Sequence, residues 1–159
     1  MEILQHSLKQ IDSNSLTVFQ TNMWNILKSV FVSLKVDNLS NESKIEQGLG
    51  IDIFLRPKAS EFVLYMSITE TRFYINSKYF DIYVYPETEI DKIEHLLKQI
   101  LLGQYSINLG YNKNGKLKKK GIVFSDEKLR EFNEDQKIGF LKKKVENEKR
   151  IEGVKFIRS

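Results

Sequence analysis

Few residues of this 159-residue chain have both the type and the spacing that catalysis requires. The sequence contains two histidines, His6 and His95, and no cysteine, which excludes thiol catalysis, disulfides and cysteine-based metal sites. Asp91 and His95 are four residues apart, so on a helix they would share one face as two possible metal ligands. A second histidine at helical spacing, a glycine-rich phosphate loop and a GxSxG motif are all absent. The sequence therefore predicts a protein that is not an enzyme and that holds no metal ion or cofactor.

Two carboxylates on predicted strands suggest a different chemistry. The element order α-β-β-β-α-β resembles the core of restriction-endonuclease-like nucleases, and Glu61 and Asp81 stand where that family carries its acidic residues. A pair of carboxylates could hold Mg²⁺. Tyr83 occupies the place of the family's lysine, and no proline–aspartate pair precedes it. A metal-dependent nuclease is therefore the third hypothesis, ranked behind protein binding and nucleic-acid binding.

Tyrosines and carboxylates alternate with apolar residues along two predicted strands. Within residues 61–69 and 79–85 every second residue is apolar, which predicts strands with one buried face. The other face would present Glu61, Tyr65, Tyr79, Asp81, Tyr83 and Tyr85. Tyrosine is enriched at protein interfaces because it supplies a large contact area at low entropic cost, although tyrosine pairs also stabilise sheets that bind nothing. The acidic neighbours favour a basic protein partner at this surface.

Positive charge is concentrated in the last third of the chain. Residues 1–112 contain 10 Lys and Arg against 13 Asp and Glu, whereas residues 113–159 contain 15 against 8. Lysines surround the predicted turn at Asn114 and Gly115, namely Lys116, Lys118, Lys119 and Lys120. A lysine-tipped hairpin could follow a phosphate backbone, and lysines also protect sheet edges from aggregation. The alternative function is therefore that of a nucleic-acid-binding accessory protein of phage or mobile-element origin.

The elements that would position these residues follow from hydrophobic periodicity. A helix is predicted from Phe19, three or four strands between residues 48 and 85, a helix from Pro86 to Gly103, a hairpin over 105–124 and a helical region from Ser125. Residues 37–47 are predicted to be a loop. The expected fold is α+β, an antiparallel sheet with two helices packed on one face in the order α-β-β-β-α-β-β-α. We expect one domain over residues 1–159, in which 125–159 form a basic, weakly docked helical segment.

No apolar run approaches the roughly 18 residues that a membrane span needs. The first ten residues have neither the basic nor the apolar region of a signal peptide. We therefore expect a cytoplasmic protein that makes no membrane contact.

The general plan of the chain resembles a known class of bacterial protein. The helix ending Ile100-Leu101-Leu102-Gly103, the following Asn114-Gly115 hairpin and the Asn/Lys/Ile-rich composition are similar to those of small α+β immunity proteins, which protect bacteria from polymorphic or contact-dependent toxins. The resemblance implies a cytoplasmic inhibitor that binds one cognate protein toxin, and it transfers no site residue. Inhibitors of nucleic-acid-cleaving toxins are often acidic, whereas this chain has a net charge of +4, so the toxin's class stays open.

Overall fold

The computed structural model describes residues 2–134, 136–138 and 145–158, and it has the expected α+β class. The helices are α1 (Glu2–Lys9), α2 (Val18–Leu34) and α3 (Ile90–Leu101), with short 3-10 helices at Ser13–Ser15 and Glu127–Phe132. The strands are β1 (Lys44–Gln47), β2 (Ile51–Leu55), β3 (Leu64–Ile68), β4 (Phe73–Asn76), β5 (Asp81–Val84), β6 (Ser106–Tyr111), β7 (Leu117–Val123), β8 (Gln136–Lys137) and β9 (Asn147–Glu152). Within the described residues, no helix is both long and apolar enough to cross a membrane.

The first five strands form an antiparallel meander in the order β1-β2-β3-β4-β5. Its alternation is the predicted one, because every second side chain of β2 to β5 is buried. Helix α2 packs beside α3 and contacts β3, so the buried face lies towards the helices. The structure adds β1 within the predicted loop, where Ile45 is the single buried apolar residue of a short edge strand. Because the apolar face packs towards the helices, the opposite face of the meander carries polar and aromatic side chains.

The two ends of the meander are distinguished by the connections that they contain. The β1–β2 and β3–β4 turns lie at one end, which we call the turn end. The β2–β3 connection and the β4–β5 turn lie at the other, which we call the closed end. The polar side chain of Gln20, which is 2% exposed, joins α2 to the turn end. It completes a capping box with Thr17 and donates a hydrogen bond to the Leu49 carbonyl (3.2 Å).

A second antiparallel sheet contains the predicted hairpin and has the order β8-β7-β6-β9. The sequence indicated one sheet, and the structure divides the strands into two because the hairpin follows α3 and packs beyond the closed end. The Phe80 ring of the β4–β5 turn lies 5.7 Å from the Tyr105 ring, which precedes β6. Both sheets and α2 and α3 nevertheless contribute to a single hydrophobic cluster.

The structure corrects the expected helical segment over 125–159. Glu127–Phe132 is a 3-10 helix, and Asn147–Glu152 forms β9, which pairs with β6 along its whole length. Pairing with β7 leaves the second edge of β6 available, and backbone hydrogen bonds along that edge stabilise a strand with little apolar character. Residues 139–144 of this predicted segment, which include Lys142, Lys143 and Lys144, lie outside the described residues.

Residues 153–158 contact the closed end through backbone hydrogen bonds and one buried side chain. Asn38 N–H donates to the Phe156 carbonyl (3.3 Å), and Phe156 N–H donates to the Leu101 carbonyl (2.9 Å). The Phe156 side chain is fully buried. A Cβ on Gly153 would lie 2.4 Å from the carbonyl oxygen of Gly103, so the two backbones cross at a separation that only glycine permits.

Candidate functional site

The open face of the meander carries two rows of side chains that cross all five strands. The row nearer the closed end contains Lys44, Phe54, Tyr65, Asn76 and Asp81. The row nearer the turn end contains Glu46, Asp52, Ser67, Tyr74 and Tyr83. Since residues i and i+2 of a strand share a face, all ten side chains project from the same side of the sheet.

Four rings form a continuous line across this face, which we call the aromatic stripe: Phe54, Tyr65, Tyr74 and Tyr83. Neighbouring ring centroids along the stripe are 4.9, 6.1 and 4.9 Å apart, within the range of favourable aromatic pairs. A cation lies over each end of the stripe. Lys44 Nζ is 5.2 Å from the Phe54 centroid, and the Arg72 guanidinium is 5.6 Å from the Tyr83 centroid. The stripe is therefore an ordered surface rather than a set of independent side chains.

Carboxylates hold the two central phenols of the stripe in place. The Tyr65 hydroxyl donates to Asp52 Oδ1 (2.8 Å), and the Tyr74 hydroxyl donates to Asp81 Oδ1 (2.6 Å). Burial raises the pKa of both tyrosines, and the neighbouring carboxylates raise it further. Both phenols are therefore neutral hydrogen-bond donors at physiological pH, with their rings fixed in orientation.

Asp81 also connects the two sheets. Its carboxylate accepts hydrogen bonds from Tyr74, Asn76 and Gln136, and its backbone N–H donates to Glu134 Oε2 (2.8 Å). Burial alone would raise the pKa of Asp81, but these side-chain hydrogen bonds outweigh it and the pKa is lowered. The contacts of this carboxylate are thus internal to the protein, and its charge is stabilised by them.

The six residues that the sequence predicted for this surface lie in four places. Tyr65, Asp81 and Tyr83 lie on the open face, as expected. Tyr85 follows β5 and is 47% exposed, close to the 43% of Tyr83. Glu61 is exposed in the connection before β3, and Tyr79 lies in the β4–β5 turn and packs against the core.

Sequence reasoning missed two members of the stripe, Phe54 and Tyr74. The signal was available, because Phe54 falls between the buried Ile53 and Leu55, and Tyr74 between the buried Phe73 and Ile75. Strands of four or five residues show this alternation only once or twice, so the pattern predicts the strand more readily than it identifies the residues of the outer face.

The structure separates Glu61 and Asp81, the two carboxylates of the nuclease hypothesis. β4 lies between β5, which carries Asp81, and β3, which Glu61 precedes. Asp91 and His95 both lie on α3, four residues apart, and His95 Nε2 lies 2.7 Å from Asp126 Oδ2. No group of three or more histidine, aspartate or glutamate side chains suited to a metal ion occurs in residues 2–134, 136–138 and 145–158.

The lysines of the hairpin do not form one row. Lys116 is exposed beside the turn, where Gly115 has a φ of 72°. Lys118 and Lys120 project from one face of β7 and Lys119 from the other, because successive side chains alternate. Lys120 Nζ donates to the Lys78 carbonyl (3.2 Å), which directs it towards the β4–β5 turn. A phosphate backbone on either face would therefore meet only part of this set.

No protein-family model, curated protein or solved structure matches this chain.

Proposed function

We propose that this protein is a non-catalytic binding protein, an immunity-type inhibitor that acts in the bacterial cytoplasm by binding one cognate protein toxin. The observation that carries the proposal is the aromatic stripe on the open face of the meander. An ordered line of four rings supplies the large aromatic contacts that dominate protein interfaces.

Pre-organisation of the stripe favours binding. The hydrogen bonds from Tyr65 to Asp52 and from Tyr74 to Asp81 fix both central rings before any partner arrives. Less side-chain entropy is then lost on association, so more of the contact energy is expressed as affinity. Tyr83 is 43% exposed, whereas the other three rings of the stripe are half-buried, so we expect Tyr83 to be an anchor.

Charge on the open face favours a basic partner. The two rows contain three carboxylates (Glu46, Asp52 and Asp81) and one lysine, Lys44, and Arg72 adds a second cation over Tyr83, so negative charge is in excess by one. Opposite charges across an interface accelerate association and select against wrong partners. Nucleic acid is disfavoured at this face by the same charges, so the nucleic-acid alternative depends on the hairpin lysines alone.

The test is capture of the tagged protein's partner from its source cells at raised salt with nuclease present, followed by growth assays. We expect one stoichiometric protein that arrests growth when expressed alone and is harmless when this chain is co-expressed. Tyr83→Ala should weaken binding tenfold or more, equivalent to about 1.4 kcal/mol or more, and Ser67→Arg should block the centre of the face and abolish protection. Val32→Ala, on the exposed part of α2, is the control for both variants.

Two results would overturn the proposal. One is a captured partner that binds Tyr83→Ala and Ser67→Arg as tightly as the wild type, with all variants folded by circular dichroism. The other is recovery of nucleic acid alone, only at low salt, which would support the hairpin alternative. In that case neutralising Lys118, Lys119 and Lys120 should reduce the salt dependence of binding.

A further inference from the structure

The exposed apolar side chains of this protein are concentrated at the turn end. Seven large apolar side chains are exposed in the described part of the chain, and five of them lie at this end: Val18, Leu49, Tyr83, Tyr85 and Ile90. The other two are Val32 and Val63. Scattered single residues of this kind are normal on protein surfaces, whereas their collection at one end indicates an interaction surface.

Strand register places the sheet-borne members together. The last row of paired residues before the turns contains Gln47, Ile51, Ile68, Phe73 and Val84. Leu49 lies in the turn beyond this row, and Tyr83 and Tyr85 flank its last member. The β1–β2 turn and β5 are separated by three to four strand spacings of roughly 4.8 Å, which is about 17 Å. One standard interface of about 800 Å² per partner can span this distance.

Both long helices begin at the same end. Gln20, in the first turn of α2, is bonded to the Leu49 carbonyl, which places Val18 beside the β1–β2 turn. Helix α3 begins at Ile90, shortly after β5 leaves the sheet. The opposite ends of the two helices lie at the closed end, where Phe156 bonds to residues 38 and 101.

The tip of the β1–β2 turn presents its leucine on a fixed backbone. Leu49 has a relative exposure of 102%, so essentially none of its side chain is covered. Gly48 N–H donates to the Gly50 carbonyl (2.9 Å), which closes the turn. A Cβ on Gly50 would lie 2.3 Å from the Ile68 carbonyl oxygen, so the turn sits against β3 at a distance that requires glycine. A buried glutamine and a required glycine thus hold in position a residue that contributes nothing to the core.

The surroundings of these apolar side chains are acidic. Residues 10–18, 46–52, 69–72 and 85–91, which form the turn end, contain seven acidic residues and one basic residue, Arg72. Such a surface repels nucleic acid and anionic membranes. A second copy of this chain could offer its basic last third, but that contact would be head-to-tail and would produce rings or open chains instead of the symmetric dimer that is commonest among oligomers. The charges therefore match a different protein with a basic surface.

We propose that the turn end docks a partner protein whose surface has an apolar pocket for Leu49, bordered by lysine and arginine side chains. This inference rests on the proposed binding function and specifies which part of the molecule makes the principal contact. Leu49 enters the pocket, Val18 and Ile90 extend the apolar contact, and the acidic residues around them pair with the partner's basic rim.

The test places a photo-reactive side chain at position 49, 67 or 32 of the full-length protein in its source cells. Position 49 probes the turn end, position 67 probes the open face, and position 32 is an exposed control on α2. We expect crosslinking from position 49, and not from 32, to one protein, through a segment that contains several lysines or arginines. With the purified partner, Leu49→Ala and Val18→Ala should each weaken binding about tenfold. Val32→Ala is the same substitution as Val18→Ala and lies on the same helix, where Val32 is 70% exposed and Val18 is 80% exposed. It should have no effect on binding.

The outcomes separate this inference from the proposed function. A protein crosslinked from position 67 but not from 49 would overturn the docking site and leave the binding function standing. Specific crosslinks from neither position would overturn both. Crosslinks from position 49 to another copy of this chain, to lipid, to nucleic acid or to an acidic segment would each refute the stated partner. Equal affinity of the Leu49→Ala variant and the wild type would also refute it.

Discussion

Replacement of Tyr105 by phenylalanine should change stability in a way that depends on pH and reverses the usual cost of losing a hydrogen bond. Tyr105 is 4% exposed, its ring lies between those of Phe80 and Phe124, and its oxygen accepts a hydrogen bond from Val154 N–H (3.2 Å). Burial raises the pKa of Tyr105 to about 12, against a smaller opposing effect of the Val154 hydrogen bond. The folded state therefore holds a neutral phenol that the unfolded chain ionises near pH 10.

The magnitude follows from this pKa difference. At neutral pH the variant leaves the Val154 N–H without its acceptor, which costs about 1–3 kcal/mol. A raised pKa gives stability that is complete below the unfolded value of 10.0 and is lost as pH rises to the folded value of about 12. Two pKa units correspond to about 2.7 kcal/mol. The wild type loses this amount between those pH values and Tyr105→Phe does not, so the variant should become as stable as the wild type or more stable.

Urea unfolding of both proteins, followed by the fluorescence of the single buried Trp24, measures the difference at neutral pH and across the alkaline range. All other residues are identical in the two proteins, so their contributions to the pH dependence cancel in the difference. Val84→Ala, which removes buried aliphatic carbon and no titratable group, should cost the same at every pH. A constant difference between Tyr105→Phe and the wild type across the alkaline range would refute the reasoning.

Three further changes test other contacts. Gly153→Ala should destabilise the protein by about 1–3 kcal/mol in urea unfolding, because its Cβ would lie 2.4 Å from the Gly103 oxygen. Gln20→Ala should cost about 1–3 kcal/mol and increase amide exchange around Leu49, since it leaves that carbonyl without its donor. Asp81→Asn should lower stability at neutral pH, and the difference should shrink as pH falls through the lowered pKa of Asp81, because that contribution requires the carboxylate.

Matched controls make these outcomes decisive. Gly48→Ala introduces a Cβ with nothing within 4 Å, so a cost equal to that of Gly153→Ala would show that the close backbone crossing is unimportant. Unchanged amide exchange around residue 49 in Gln20→Ala would exclude the role of Gln20 in holding the turn. An Asp81→Asn difference that grows in acid would contradict the sign derived for this carboxylate.

The sequence predicted the elements whose side chains repeat with a period. Helix α3 buries one apolar stripe, and β3 and β5 bury every second side chain, as expected. The outward position of Tyr83 followed from that alternation. The hairpin was predicted from Asn114 and Gly115, which favour a tight turn.

Elements stabilised by backbone pairing were not predictable in the same way. Strand β9 exposes its first four residues and carries only Ile151 as a partly buried apolar side chain. Its stability comes from hydrogen bonds to β6, a partner that local sequence does not reveal. Leu49 was not predicted for a related reason. A single leucine between two glycines shows no hydrophobic periodicity, and the contact that holds its turn comes from Gln20, which is distant in sequence.

The docking of residues 153–158 has a consequence for how the chain folds during synthesis. The meander consists of contacts between consecutive strands, so it can form early on a growing chain. The bond between Asn38 and Phe156 joins segments that are far apart in sequence, and it forms only after the ribosome has released the later segment. Until then, the apolar ends of α2 and α3 at the closed end lack their cover. We expect nascent chains that stop before residue 153 to bind chaperones and to be cut by proteases there, while the turn end already has its final shape.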